Sequence, residues 1–113
     1  RIEGFAAPHD RVGGRRFGQA TVWRWQQAGL NFAHLGGTAA TLSGEDKVLL
    51  GRPDVLIIGV GGGGKVYNGE EAAKVVRALN PRRVKVEYHC CLTQYKSLRQ
   101  FMVLMLTEMT SRL

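Results

Sequence analysis

The chain has 113 residues, 44% of them hydrophobic and 22% charged, with a formal net charge of +7. That is enough for one domain with its own core, and no apolar run of about 18 residues is present to cross a membrane. The 16 basic side chains are scattered, and the densest groups (Arg11, Arg15, Arg16 and Arg82, Arg83, Lys85) come without a nucleic-acid-binding motif, so the charge excludes less than it suggests and nucleic acid is not the expected partner.

Residue 1 is Arg, and Arg1-Ile2-Glu3-Gly4-Phe5 reads as the interior of a longer chain. Ala20-Thr21-Val22-Trp23-Arg24-Trp25 alternates with β-branched and aromatic residues, as a half-buried strand does. Gln27-Ala28-Gly29 is turn-like, and Leu30-Asn31-Phe32-Ala33-His34-Leu35 alternates again, so the two segments are expected to form a hairpin. Gly36-Gly37 breaks the second strand. Ser43 followed by Glu45 and Asp46 can cap a short helical turn through Leu50.

Pro53-Asp54 opens the continuous apolar run 55–60, which predicts a strand buried on both faces. The glycine run 61–64 follows. Asn68 is placed to cap a helix over 70–79, where Ala72, Ala73, Val76 and Leu79 form one apolar stripe. Asn80-Pro81 ends that helix, and 84–88 is the next strand, a unit suited to a right-handed parallel crossover. In the last segment, 95–113, Leu98, Phe101, Met102, Met105, Leu106, Met109 and Leu113 recur at steps of three and four and predict an amphipathic helix. Cys90 and Cys91 are neighbours, and Cα atoms about 3.8 Å apart are too close for an ordinary disulfide. Two reduced thiols fit a cytoplasmic setting.

The order of these pieces, His34-Leu35-Gly36-Gly37, then Asp54 and the strand to Val60, the glycine turn, a helix, and Asn80-Pro81 into a strand ending near His89, resembles the C-terminal half of the metallo-β-lactamase-fold hydrolases. Their series "HLGD … DVLLIPVGG … L.P..VIPVHY" has the same spacing. The resemblance implies an α/β fold: a mixed sheet with flanking helices, half of an αββα sandwich, with 1–113 as one domain, 1–89 family-like and 90–113 a divergent tail. It implies a metal-dependent hydrolase in which a divalent ion, zinc first and manganese second, holds a water of lowered pKa that attacks an ester, lactone, amide or phosphodiester of a small-molecule substrate.

Carried over by position, the family's lone His after a strand is His9, with Asp10 beside it. Its bridging Asp falls on Gly37, which has no side chain. His34 matches a supporting residue, Gly61 and Gly62 the turn along the pocket wall, and Glu87 or His89 the final ligand region, where the register is ambiguous. The expected metal ligands are therefore His9 and His89, with Asp10, His34, Gly37, Gly61, Gly62 and Glu87 as pocket or supporting residues. The H-x-H-x-D-H motif is absent, and a catalytic zinc normally has three protein ligands, so the isolated chain is expected to bind metal weakly.

Two other readings stay open. One is a non-catalytic remnant or pairing module, whose partner is a second copy or a missing N-terminal half, because half a sandwich leaves an apolar face and open edges. The other is dinucleotide binding, since Gly59-Val60-Gly61-Gly62-Gly63-Gly64 satisfies G-x-G-x-x-G after a strand. Against it, residues 65–69 intervene before the helix, whereas a dinucleotide site starts its helix within the glycines. Ser43 and Ser97 lack a nucleophile-elbow setting, and Cys90-Cys91 lacks the spacing of a closed zinc site.

Overall fold

A computed structural model describes residues 1–87, 100 and 102–104. Five strands form one sheet in chain order: β1 (Ile2–Pro8), β2 (Gln19–Gln27), β3 (Leu30–His34), β4 (Val55–Gly59) and β5 (Arg83–Glu87). The first three pair antiparallel, while β3 with β4 and β4 with β5 run parallel. Parallel neighbours need a crossover, and helices supply it: α1 (Gly44–Leu50) links β3 to β4, and α2 (Gly69–Leu79) links β4 to β5. The result is the mixed, helix-flanked α/β sheet that the sequence implies.

Local chemistry sets the elements. The β2–β3 hairpin turns through Ala28 (φ 52°) and Gly29 (φ 77°), two left-handed residues whose twist matches that of the flanking strands. Both helices open on a reciprocal cap. Ser43 Oγ accepts from the Asp46 N–H at 3.0 Å, and the Asp46 carboxylate accepts from the Ser43 N–H at 3.0 Å. Asn68 and Glu71 do the same for α2, at 2.8 and 2.9 Å. Asn80 closes α2 in the left-handed conformation, its N–H bonded to the Val76 carbonyl.

The core lies on one face of the sheet. Val22, Leu35, Leu56 and Ile58 have no exposed surface, and they meet Leu42, Leu50, Tyr67, Ala72, Ala73, Val76 and Leu79 from the helical side. The strand register puts the alternate residues on the other face: Ile2, Trp25, Phe32, Val55 and Arg83 in one row, Gly4, Trp23, His34, Ile57 and Lys85 in the next. There Val55 and Ile57 are only half-buried. The expectation that 55–60 is enclosed on both faces therefore holds on one face only, because the described helices sit on the same side of the sheet.

The expected helix 95–113 lies outside the described residues apart from residue 100 and residues 102–104, which are helical. Met102, expected in the apolar stripe, is 52% exposed, whereas Leu104 packs against the core. Two residues on a helix differ by about 200° of rotation, so the face turned inward here runs through Leu104. His89, Cys90 and Cys91 lie outside the described residues. Among those described, no helix is long and apolar enough to cross a membrane.

Candidate functional site

At the end of β1 the chain is pinned on both sides. The His9 N–H donates to the Gly18 carbonyl at 3.0 Å, and the His9 carbonyl accepts from the Ala39 N–H at 2.9 Å. Thr38 reinforces the junction: its hydroxyl donates to the Pro8 carbonyl at 2.6 Å and accepts from the Ala40 N–H at 3.2 Å. His9 is thereby held against the turn that follows β3.

The ring of His9 is oriented by that turn. Its Nδ1 is hydrogen-bonded to the carbonyl oxygen of Gly37. A carbonyl only accepts, so Nδ1 carries the proton and, in the neutral ring, Nε2 keeps its lone pair. Nε2 has no partner among the described residues. An imidazole fixed at one nitrogen by a backbone carbonyl and open at the other is set to ligate a metal ion or to accept a proton.

Gly37 lies directly on this ring. A Cβ there would stand 3.4 Å from His9 Cε1, 3.5 Å from Nδ1 and 3.8 Å from the Lys65 carbonyl oxygen, ordinary contact distances. The two positions that the sequence pairs are thus brought together, and a side chain at 37 would project beside His9.

His34 and Glu87 sit one layer back. His34 ends β3, Glu87 ends β5, and β4 runs between them. His34 Nδ1 accepts from the Gly36 N–H at 3.0 Å, so Nε2 bears the proton and donates to the Glu87 carboxylate at 3.2 Å. Both nitrogens of His34 are used, which leaves it nothing to offer a metal. The bonds form a line from Glu87 through His34 to Gly36, and from the next residue, Gly37, to His9.

Asp10 is buried and turned away from any ligand role. Its Oδ1 accepts from the N–H groups of Val12 and Gly14 at 2.9 and 2.8 Å, and its Oδ2 from those of Arg16 and Phe17 at 3.0 and 2.7 Å. Burial pushes the carboxyl up; the amides of Phe17, Gly14, Val12 and Arg16 outweigh it and hold the pKa at about 2. Asp10 shapes the loop between β1 and β2.

The glycine turn forms the far wall. The N–H groups of Gly61 and Gly62 both donate to the Tyr67 carbonyl, at 3.1 and 2.9 Å. Arg11 straps this turn to α2. Its Nε and one terminal nitrogen bind the Glu71 carboxylate at 2.7 and 2.6 Å, and it donates to the carbonyls of Gly63 and Val66 at 2.6 and 3.2 Å. Partial burial raises the Glu71 carboxyl, but the Arg11 bond and the Asn68 N–H keep it below the usual range, and the same pair raises Arg11. Tyr67, buried, donates its hydroxyl to the Ala40 carbonyl at 2.6 Å, and burial pushes its pKa up.

Sequence reasoning missed Arg11, Thr38 and Tyr67. Glu71 was legible, three residues after the Asn68 cap, as a capping signature. Arg11 carries no local signal, since its partner lies 60 residues away.

Among the described residues no group of three or more His, Cys, Asp or Glu side chains is placed to hold a metal ion. One open imidazole nitrogen beside a bare glycine does not by itself fit a metal that needs three protein ligands.

Residues 1–85 match the family model of the β-lactamase superfamily domain. The chain belongs to the β-lactamase superfamily. A Thermotoga maritima protein of the metallo-β-lactamase superfamily, described as a candidate Zn-dependent hydrolase, superposes with a TM-score of 0.72 at 24% identity, covering 91% of this chain and 50% of that one. The metallo-β-lactamase fold protein YhfI of Bacillus subtilis superposes with a TM-score of 0.64 at 11% identity, covering 88% of this chain and 41% of that one. These likenesses show the fold, and this superfamily member spans half or less of the solved chains it matches. No curated protein matches it.

Proposed function

We propose that this chain supplies one part of the site of a metal-dependent hydrolase acting on an ester, lactone, amide or phosphodiester, with zinc or manganese as the metal and His9 as the ligand it contributes. The observation that carries the reading is the state of His9: Nδ1 tied to the Gly37 carbonyl, Nε2 open, at the position where the superfamily pattern has a histidine. The remaining ligands belong to residues outside those described, His89 among the candidates. Asp10, His34, Glu87 and the glycine turn hold the loops around His9 in place.

The test is equilibrium dialysis of the chain against zinc and, separately, manganese. The chain is expected to hold metal weakly, to lose what it holds on His9→Ala, and to gain affinity on Gly37→Asp, which sets a carboxylate beside His9. Metal content unchanged by both substitutions would overturn the reading.

A second reading, a non-catalytic pairing module, is favoured by a different observation: Ile2 and Trp23 remain 66% and 44% exposed on the open face of the sheet. A monomer in sizing at micromolar concentration would count against it. For dinucleotide binding, α2 begins only at Gly69, past the glycines, and one of its first-turn amides is already taken by Asn68.

A further inference from the structure

The glycine turn has features that neither the metal reading nor the fold requires. Gly61 and Gly62 direct their N–H groups to the Tyr67 carbonyl, and the carbonyls of Gly63 and Val66 are engaged by Arg11. The N–H groups of residues 63–66 have no acceptor among the described residues. With two of its four carbonyls bound by Arg11 and its four amides open, the stretch has N–H groups to offer an anion.

Two cations stand near the same ring. The Arg16 guanidinium lies 4.9 Å and the Lys65 ammonium 5.0 Å from the centre of the Phe17 ring. Neither has a carboxylate partner among the described residues, because Glu71 is committed to Arg11 and Asp10 to four backbone amides. Each cation rests near the ring rather than on a carboxylate, which leaves its charge available to an anion. Phe17 is seated on the turn itself: a Cβ on Gly64 would fall 2.4 Å from its ring, so a side chain there would push the ring aside. The cluster also borders the His9 site, since the Lys65 carbonyl and the His9 ring flank position 37 from two sides.

We propose that Arg16, Lys65 and the open amides of residues 63–66 form an anion site beside His9, and that the substrate is a small molecule bearing a phosphate group. A phosphoryl group has oxygens enough to meet a guanidinium, an ammonium and backbone N–H groups together. That the phosphate belongs to a substrate rests on the hydrolase reading; that the site binds phosphate does not.

The test is calorimetric titration of the whole chain with inorganic phosphate and with phenyl phosphate at fixed ionic strength, against chloride. Saturable binding of both phosphates is expected, with amide shifts confined to 63–66 in NMR spectra. The exposed double change Arg16→Gln with Lys65→Gln should weaken binding about tenfold or more while circular dichroism stays unchanged, and His9→Ala should leave it intact. Phosphate binding that survives together with metal binding indifferent to His9 would sink the hydrolase reading and keep the anion site. No saturation, equal binding by the Arg16/Lys65 variant, or an equal response to chloride would overturn the anion site whatever the metal does.

Discussion

On one face of the sheet Val22, Leu35, Leu56 and Ile58 are fully enclosed beneath α1 and α2, while the next residues along the same strands, Trp23 and Ile57, stay 44% exposed and half-buried on the other. Both faces carry apolar side chains, and both come from the same alternation. What separates them is what packs against each. The enclosed face carries the helical layer and the stability. The open face carries aromatic surface, with Trp25 stacked on Phe32 at 5.2 Å, and the His34–Glu87 pair that braces the turn below His9. Stability and site chemistry are therefore served by alternate residues of the same strands.

The sharpest way to break this comparison is to cut a side chain from each face. Leu56→Ala, in the enclosed layer, should cost about 2–5 kcal/mol in urea unfolding, because the removed volume leaves a cavity. A cost near that of a surface change would show the helices packed loosely. Tyr67→Phe keeps the ring but strips the donor from the Ala40 carbonyl, and about 1–3 kcal/mol should be lost in the same measurement.

Trp23→Ala, on the open face, should cost about 1 kcal/mol or less, since nearly half of the ring is already in water. A loss matching that of Leu56→Ala would mean that this face too is covered in solution, and the contrast between the faces would fail.

The smallest effect is confined to acid. The amides hold Asp10 at about 2, below its ordinary carboxylate range, so its contribution is complete above about 4 and is lost as the pH falls toward 2. Thermal melts across that window should show a step that Asp10→Asn removes. A step that persists in the variant would assign the acid sensitivity to another carboxylate.

Much of the fold was legible because the signals are local. Capping pairs are three residues apart, as in Ser43 with Asp46 and Asn68 with Glu71, and the hairpin is announced by alternation on either side of Ala28-Gly29. Both helices and β3 and β4 fall within a residue of their expected bounds, whereas β2 runs two residues past Trp25 and β1 carried no expected bounds. His9 and Gly37 were singled out through the superfamily pattern, and Asp10 was placed in the neighbourhood without its role. Its carboxylate is consumed by amides two to seven residues on, a loop geometry that composition does not display.

By itself the chain of residue types determined the elements, their order and the alternation that assigns each side chain to a face, since these depend on neighbours a few positions away. Only the tertiary structure decided which face the helices seal, and which residues meet: His9 with Gly37 across 28 positions, His34 with Glu87 across 53, Arg11 with Glu71 across 60. Contacts at such separations depend on how whole strands and loops are laid against one another. A hydrophobic pattern states only that a surface must be covered, and the path of the chain settles what covers it.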